Sequence, residues 1–251
     1  SHHIKHLNDI HEICNKILIE KPLSNSIQAA ESYLKENKNI AETNISVAYC
    51  LRFHPLIQAL KKILSLDVMG NIYNIHINTG SYLPDWRKID YRESVSANKK
   101  LGGGVLLELS HELDLILWLR NKITPICSKL RTTKELSTDV EEIADILFEG
   151  QSGELISMHL DFFNKTPKRS INILASNGNL SIDLINNKII HKGKNKKIDN
   201  VIDKIDYSLN MYDEMLSEFL NGKSSFNSKN LASFNDALRV LNLIKKIRGL
   251  S

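Results

Sequence analysis

The chain has 251 residues, 42% hydrophobic and 25% charged, with a formal net charge of +4. These proportions belong to an ordinary globular protein of one large domain, or a domain and a part. They give no sign of the strong basic excess of a nucleic-acid binder, and no run of about 18 apolar residues provides a membrane span.

Cys14, Cys50 and Cys127 are odd in number and far apart, without disulfide or metal-ligand spacing. Cys50 and Cys127 fall in strand-like runs, which predicts buried free thiols. A reducing, cytoplasmic setting is the expectation, and no secretory signal is visible.

His3 to Cys14 places Ile4, Leu7, Ile10 and Ile13 every third residue and predicts a helix. His2 and His6 have the i, i+4 spacing that can bind zinc, but no third ligand is near, and no metal site is expected. Lys16-Ile17-Leu18-Ile19 reads as a short buried parallel strand. Ser24 or Ser26 can cap a helix over Ile27 to Glu36, and Asn44 to Leu51 is strand-like again. This helix–strand–helix–strand order is that of a parallel, doubly wound sheet, in which ligands bind beyond the carboxyl ends of strands. Glu20-Lys21-Pro22 occupies such an end, where proline fixes the backbone beside the lysine. The same residues also suit a surface turn with a solvated lysine.

After Pro55 the pattern changes. Leu56 to Leu66 reads as a helix closed by Gly70, and Asn71 to Ser81 as a strand. Tyr82-Leu83-Pro84-Asp85-Trp86-Arg87 and Asp90-Tyr91-Arg92-Glu93 form a loop rich in aromatics and arginine. Such side chains hold oriented polar ligands, or pack the loop down on itself.

Gly102-Gly103-Gly104 then opens a helix with Leu106, Leu109, Leu113 and Leu117 on its apolar face. The missing Cβ atoms let backbone or ligand come close and open space at this end. Glu108, His111 and Asp114 are three apart and share another strip. A carboxylate, an imidazole and a second carboxylate make a candidate acid/base site, or a satisfied histidine flanked by solvated acids.

Ile126 to Thr133, Ile143 to Phe163 and Ser170 to Lys192 are strand regions. The second turns at Gly150-Gln151-Ser152-Gly153, the third at Asn177-Gly178 and Asn186-Asn187. Lysines from Lys188 to Lys204 interleave with Asp199 and Asp203, a solvated hairpin and loop rather than a phosphate-binding stripe. No nucleic-acid or membrane partner is expected. Tyr207 to Leu220 and Leu231 to Ile247 read as closing helices.

Glu20-Lys21-Pro22, the Arg52-Phe53-His54-Pro55 junction, Tyr82 to Arg87, and Gly102-Gly103-Gly104 through His111 and Asp114 occur in an order that resembles the Gfo/Idh/MocA oxidoreductases. The segment from Tyr207 is similar to that family's C-terminal part, so the resemblance runs from end to end. The implied fold class is α/β plus α+β: the C-terminal part of a Rossmann NAD(P)-binding domain over residues 1–53, then an open, mainly antiparallel or mixed sheet with flanking helices over 54–251, for substrate binding and oligomerisation. The implied activity is NAD- or NADP-dependent oxidation or reduction of a sugar or nucleotide sugar, in bacterial surface-polysaccharide metabolism. A homo-oligomer, dimer or tetramer, formed through the open sheet is also implied.

On this resemblance Lys21 and His111 are the catalytic pair, Lys21 at the reacting oxygen and His111 as general acid/base. Glu108 or Asp114 would fix the imidazole tautomer. The family more often carries an Asp four residues before the histidine; Glu108 stands three before it. Glu20, Lys21 and Pro22, with Trp86 and Arg87, would contact the cofactor; Tyr82, Tyr91 and Arg92 would contact the sugar or its phosphate. The family's G-x-G-x-x-G loop occurs nowhere in the chain, so the pyrophosphate site is expected to be absent. That leaves an alternative: a truncated, non-catalytic relative serving as a binding or oligomerisation module.

Overall fold

The computed structural model describes residues 3–43, 45–221, 228 and 230–251, and of 41–43 the helix alone. His2 and Asn44 lie outside the described residues. The chain opens with α1 (His3–Ile10), β1 (Ile17–Ile19), α2 (Ile27–Glu36), α3 (Lys38–Thr43) and β2 (Ile45–Val47). Strands β1 and β2 pair in parallel, as the helix–strand alternation predicts. Helix α1 stops four residues short of Cys14, and Ile13 is 81% exposed. Ser26, not Ser24, caps α2, its side chain accepting the Ala29 N–H. The second predicted strand ends early, because residues Cys50–Phe53 wind into a 3-10 turn. Cys50 is therefore buried, but not in a strand.

Helix α4 (Pro55–Ser65) begins at proline, whose missing N–H costs nothing there. Strand β3 (Ile72–Gly80) follows, then four 3-10 turns between Leu83 and Leu101, and helices α5 (Val105–Glu108) and α6 (Ser110–Arg120). The remaining strands are β4 (Ile123–Arg131), β5 (Ile143–Gly150), β6 (Leu155–Asp161), β7 (Lys168–Ala175), β8 (Gly178–Asp183) and β9 (Lys188–Gly193). Helices α7 (Lys196–Ile202) and α8 (Met211–Asn221), the two-residue strand β10 (Ala232–Ser233) and α9 (Phe234–Gly249) close the chain.

Seven strands form one mixed sheet in the order β4-β5-β6-β3-β7-β8-β9, and only β3 and β6 run in parallel. The hairpins turn where the glycines and asparagines predict. On β3 the period of two turns Ile75, Ile77 and Thr79 inward and leaves Asn74, His76 and Asn78 on the outer face. Leu60 and Leu64 of α4 and Leu115 and Ile116 of α6 meet that inner face. A bulge between Pro125 and Cys127 in β4 leaves Cys127 exposed, against the buried thiol expected there. Residues 188–204 hold the second arm of the β8–β9 hairpin, as expected, but then the helix α7 where a loop was expected, with Asp199 bonded to His191 at 2.8 Å.

The end of the chain returns to its beginning. Strand β10 pairs antiparallel with β2, completing a three-stranded sheet. Phe234 stacks on Tyr33 of α2 at 5.6 Å. Ser233 and Asp236 form a reciprocal capping box on α9. Among the described residues no helix is long and apolar enough to cross a membrane.

Candidate active site

The glycine run and the helix after it define the site. Gly102 and Gly104 have φ of +87° and +108°, conformations that L side chains avoid. A Cβ on Gly103 would lie 2.3 Å from the Val95 carbonyl oxygen. The approach that glycine allows is thus taken by the protein's own backbone. The run closes against the 3-10 turns before it and does not open space for a ligand, as the sequence suggested.

The helix predicted from Gly104 through Asp114 is broken. Leu109 (φ −97°, ψ 30°) separates α5 from α6, and the Glu112 N–H turns to the Leu109 carbonyl. The Glu108 carbonyl, at the end of α5, accepts a 2.8 Å bond from Lys21 Nζ. The Glu108 carboxylate adds an ion pair at 3.8 Å, with both side chains under one-fifth exposed. A lysine from the end of β1 and the break in the central helix therefore position each other, across 87 residues of sequence.

His111 stands one residue into α6. Its ring lies edge-on to Tyr49 at 5.6 Å, and its Nδ1 is buried without a hydrogen-bond partner among the described residues. Burial, and then the charges of Lys21 and Arg169, hold its pKa well below the ordinary histidine value. Both effects favour the neutral imidazole.

Asp114 does not orient this imidazole. Its two oxygens accept from Arg52 Nε at 2.8 Å and Nη2 at 2.6 Å, with both side chains buried. Glu108 is likewise turned to Lys21, so neither predicted tautomer-fixing acid bonds to His111. Arg52 also reaches Asp236 at 3.3 Å and lies over Trp118, 5.4 Å from the ring centre. Burial works against the Arg52 charge, but Asp114 and Asp236 more than offset it and keep its pKa above the usual value.

The other expected residues are placed unequally. Glu20 is exposed, and Pro22 buried, at the end of β1. Trp86 donates its indole N–H to Ser81 at 2.9 Å and meets Phe162 edge-on, so its polar atom is used internally. Arg87 is exposed. Tyr82 is half-buried with Lys165 over its ring at 5.5 Å. Tyr91 donates its hydroxyl to the Leu136 carbonyl at 3.0 Å. Arg92 is exposed and pairs with Asp90 at 2.6 Å. The structure brings Lys21, Glu108 and His111 together; it commits Tyr91 and Arg92 to other protein groups.

Sequence reasoning passes over one cluster at this site. Glu112, 2% exposed, accepts from Arg169 Nε at 2.7 Å and from Thr79 Oγ1 at 3.2 Å. Thr79 and Arg169 face each other across β3 and β7. A glutamate beside the candidate histidine is a visible signal, but its partners appear only once the strand register is known. Among the described residues no group of three or more His, Cys, Asp or Glu side chains could hold a metal ion.

Residues 57–181 match the family model described as GFO/IDH/MocA C-terminal domain. No curated protein matches the chain significantly. Several solved structures share its fold. The WlbA dehydrogenase from Bordetella pertussis, crystallised with NADH and UDP-GlcNAcA, superposes with a TM-score of 0.78 at 16% identity over 99% of this chain and 73% of its own. The UDP-N-acetylglucosamine 3-dehydrogenase GnnA from Acidithiobacillus ferrooxidans gives 0.74 at 16% identity, over 100% and 75% of the two chains. An inositol dehydrogenase homolog from Azotobacter vinelandii, complexed with NAD+, gives 0.77 at 13% identity, over 98% and 72%.

Proposed function

We propose that this chain, which belongs to the GFO/IDH/MocA family, carries the proton-handling half of an oxidoreductase that interconverts a carbinol and a carbonyl on a sugar or nucleotide sugar. The observation that carries this reading is the meeting of a fixed ammonium and a neutral imidazole. Lys21 is tethered by the Glu108 carbonyl, and His111 is kept uncharged beside it. A carbinol that loses a hydride must also lose its hydroxyl proton, and an uncharged imidazole has a ring nitrogen open to that proton. The ammonium of Lys21 stabilises negative charge on the same oxygen.

A nicotinamide cofactor, NAD or NADP, would supply the hydride chemistry. The residues present fit the nicotinamide end of such a group. Glu20, Lys21 and Pro22 lie at the carboxyl end of a parallel strand, where α/β sheets bind ligands, and Trp86, partly exposed, and Arg87, exposed, are the further cofactor candidates. A glycine-rich pyrophosphate loop is not among the chain's residues. The solved relatives crystallised with NADH, NAD+ or a nucleotide sugar support this substrate and cofactor class. Tyr82 is the sugar-site candidate whose hydroxyl no other described residue claims; a role in surface-polysaccharide sugar metabolism fits such substrates.

The outer face of the seven-stranded sheet supports the homo-oligomer. It exposes Leu155, Leu174 and Ile190 among polar residues, a composition compatible with subunit contacts.

The test is turnover of a UDP-sugar with NAD or NADP by the complete gene product. His111→Ala lowers kcat by about 100-fold or more, and Lys21→Met does so comparably, with circular dichroism checking that both variants remain folded. Near-normal turnover in either variant removes that residue from the mechanism. Binding of sugar without any turnover in the unaltered protein would favour the binding-module alternative.

A further inference from the structure

Glu112 and Arg169 form an ion pair that is half made. The carboxylate is buried, yet only Oε1 is bonded, and Oε2 is buried without a partner among the described residues. The guanidinium touches Glu112 through Nε alone, and its two Nη groups make no hydrogen bond to any described residue. An arginine–carboxylate pair ordinarily forms a two-bond fork. Arg52 and Asp114 do so two residues along the same helix. Here the fork is left open, and the arginine is the more exposed partner. Arg169 is 26% exposed while Glu112 is 3% exposed.

The position of that free side matters. The charges of Arg169 and Lys21 are both felt at His111, and that of Arg169 also at His54, Cys50 and Tyr212, so the two cations act on the same part of the candidate site. Lys21 already provides the single positive charge that an alkoxide-forming reaction calls for. A second permanent cation, with two unused donor groups beside a neutral imidazole, is surplus to that chemistry. It is also costly, because it discourages the imidazole from accepting a proton.

We propose that Arg169, oriented by Glu112 and Thr79, is the specificity-determining receptor for an anionic group on the sugar, a carboxylate on the ring or a phosphate at its anomeric carbon. This inference rests on the proposed sugar site. Glu112 takes Nε and fixes the plane of the guanidinium, and the Thr79 hydroxyl holds Glu112 in place. The two Nη groups then present the parallel donors that a carboxylate or phosphate accepts. Neutral sugars would leave those donors unpaired, which gives the site a reason to prefer a charged one.

The experiment titrates the purified protein with glucuronate, glucose 1-phosphate and glucose. Calorimetry gives the affinities, and the His111 ring resonances report occupancy of this site. Arg169→Met would leave Glu112 buried without its cation, so Arg169→Met/Glu112→Gln is measured beside it. Lys35→Met, an exposed charge on α2, controls for loss of general positive field. The expected result is roughly a tenfold to hundredfold preference of the unaltered protein for an anionic sugar over glucose. The double variant loses that preference while still binding glucose, and Lys35→Met retains it. Arg169-dependent preference for glucuronate alone identifies a ring carboxylate, and for glucose 1-phosphate alone a phosphate. Equal affinity for all three sugars, with His111 responding, overturns the anion receptor and leaves the sugar site standing. Preference that survives in the double variant also overturns it. If no sugar moves the His111 resonances, both this inference and the sugar site fall.

Discussion

Helix α6 carries two buried carboxylates two residues apart, each met by an arginine from another element, and the two pairs are built differently. Asp114 and Glu112 point about 200° apart around the helix. Asp114 receives a two-bond fork from Arg52, which Asp236 and the face of Trp118 then complete. Glu112 receives one bond from Arg169, and its second oxygen is left bare. The closed pair ties the 3-10 turn Cys50–Phe53, α6 and α9 into one body and offers nothing to a ligand. The open pair lies near enough to His111 for the charge of Arg169 to be felt there, so its unused donors have somewhere to be used. Within one helix, completeness of hydrogen bonding separates the group that holds the fold from the group available for chemistry.

That contrast breaks if the two arginines prove interchangeable in stability. Arg52→Met should lose about 3–5 kcal/mol, because Asp114 is left buried without its cation. At this chain size that lowers the Tm by roughly ten degrees. Arg169→Met should lose only about 1–3 kcal/mol, since its guanidinium is partly in water and Thr79 still serves Glu112. Urea unfolding of both variants measures the difference. Equal losses would mean that the open pair is structural too.

The pH dependence sharpens the comparison with a third charged cluster, on the outer face of the sheet. There His159 sits between Asp161 at 3.3 Å and Asp145 at 2.6 Å. Hydrogen bonding to Asp161 raises its pKa to about 9 despite partial burial. A histidine with a raised pKa contributes stability that is complete below its unfolded value, near 6.5, and is lost as pH rises through about 9. His111 has the opposite sign. Burial lowers its pKa, so the unfolded chain binds more protons, and stability falls as pH drops below about 6.5. His159→Gln should therefore flatten the alkaline limb of the stability profile, and His111→Phe the acid limb. Exchange of those limbs would reverse the assignment of charge at the two sites.

How much of this was legible beforehand follows from the range of each interaction. The period of two in β3, the turns at Asn177-Gly178 and Asn186-Asn187, and the cap at Ser26 are local, and the residues announce them. Lys21 and His111 could be singled out by a motif at a strand end and a histidine on a helix. Their meeting depends on Leu109, whose break in the helix no propensity signals. Asp114 was misassigned to His111 because helical spacing sees i, i+3 neighbours but not an arginine 62 residues away. Cys127 was expected to be buried because a bulge changes which face a strand residue takes. The Thr79–Arg169 cradle was invisible because it exists only through the register of two strands 90 residues apart.

The smallest expected effect tests that cradle. Thr79→Val keeps the shape and removes one hydroxyl, so Glu112 loses its 3.2 Å bond while Arg169 still holds the same oxygen. The stability loss should be about 1 kcal/mol, the size of one buried hydrogen bond whose acceptor keeps another partner. Specificity should suffer more than stability. A guanidinium whose anchor can shift presents its Nη groups less well, so discrimination between glucuronate and glucose should shrink severalfold while glucose affinity stays the same. A Thr79→Val protein with lower stability but unchanged discrimination would make Thr79 a packing residue of β3 with no part in orienting Arg169.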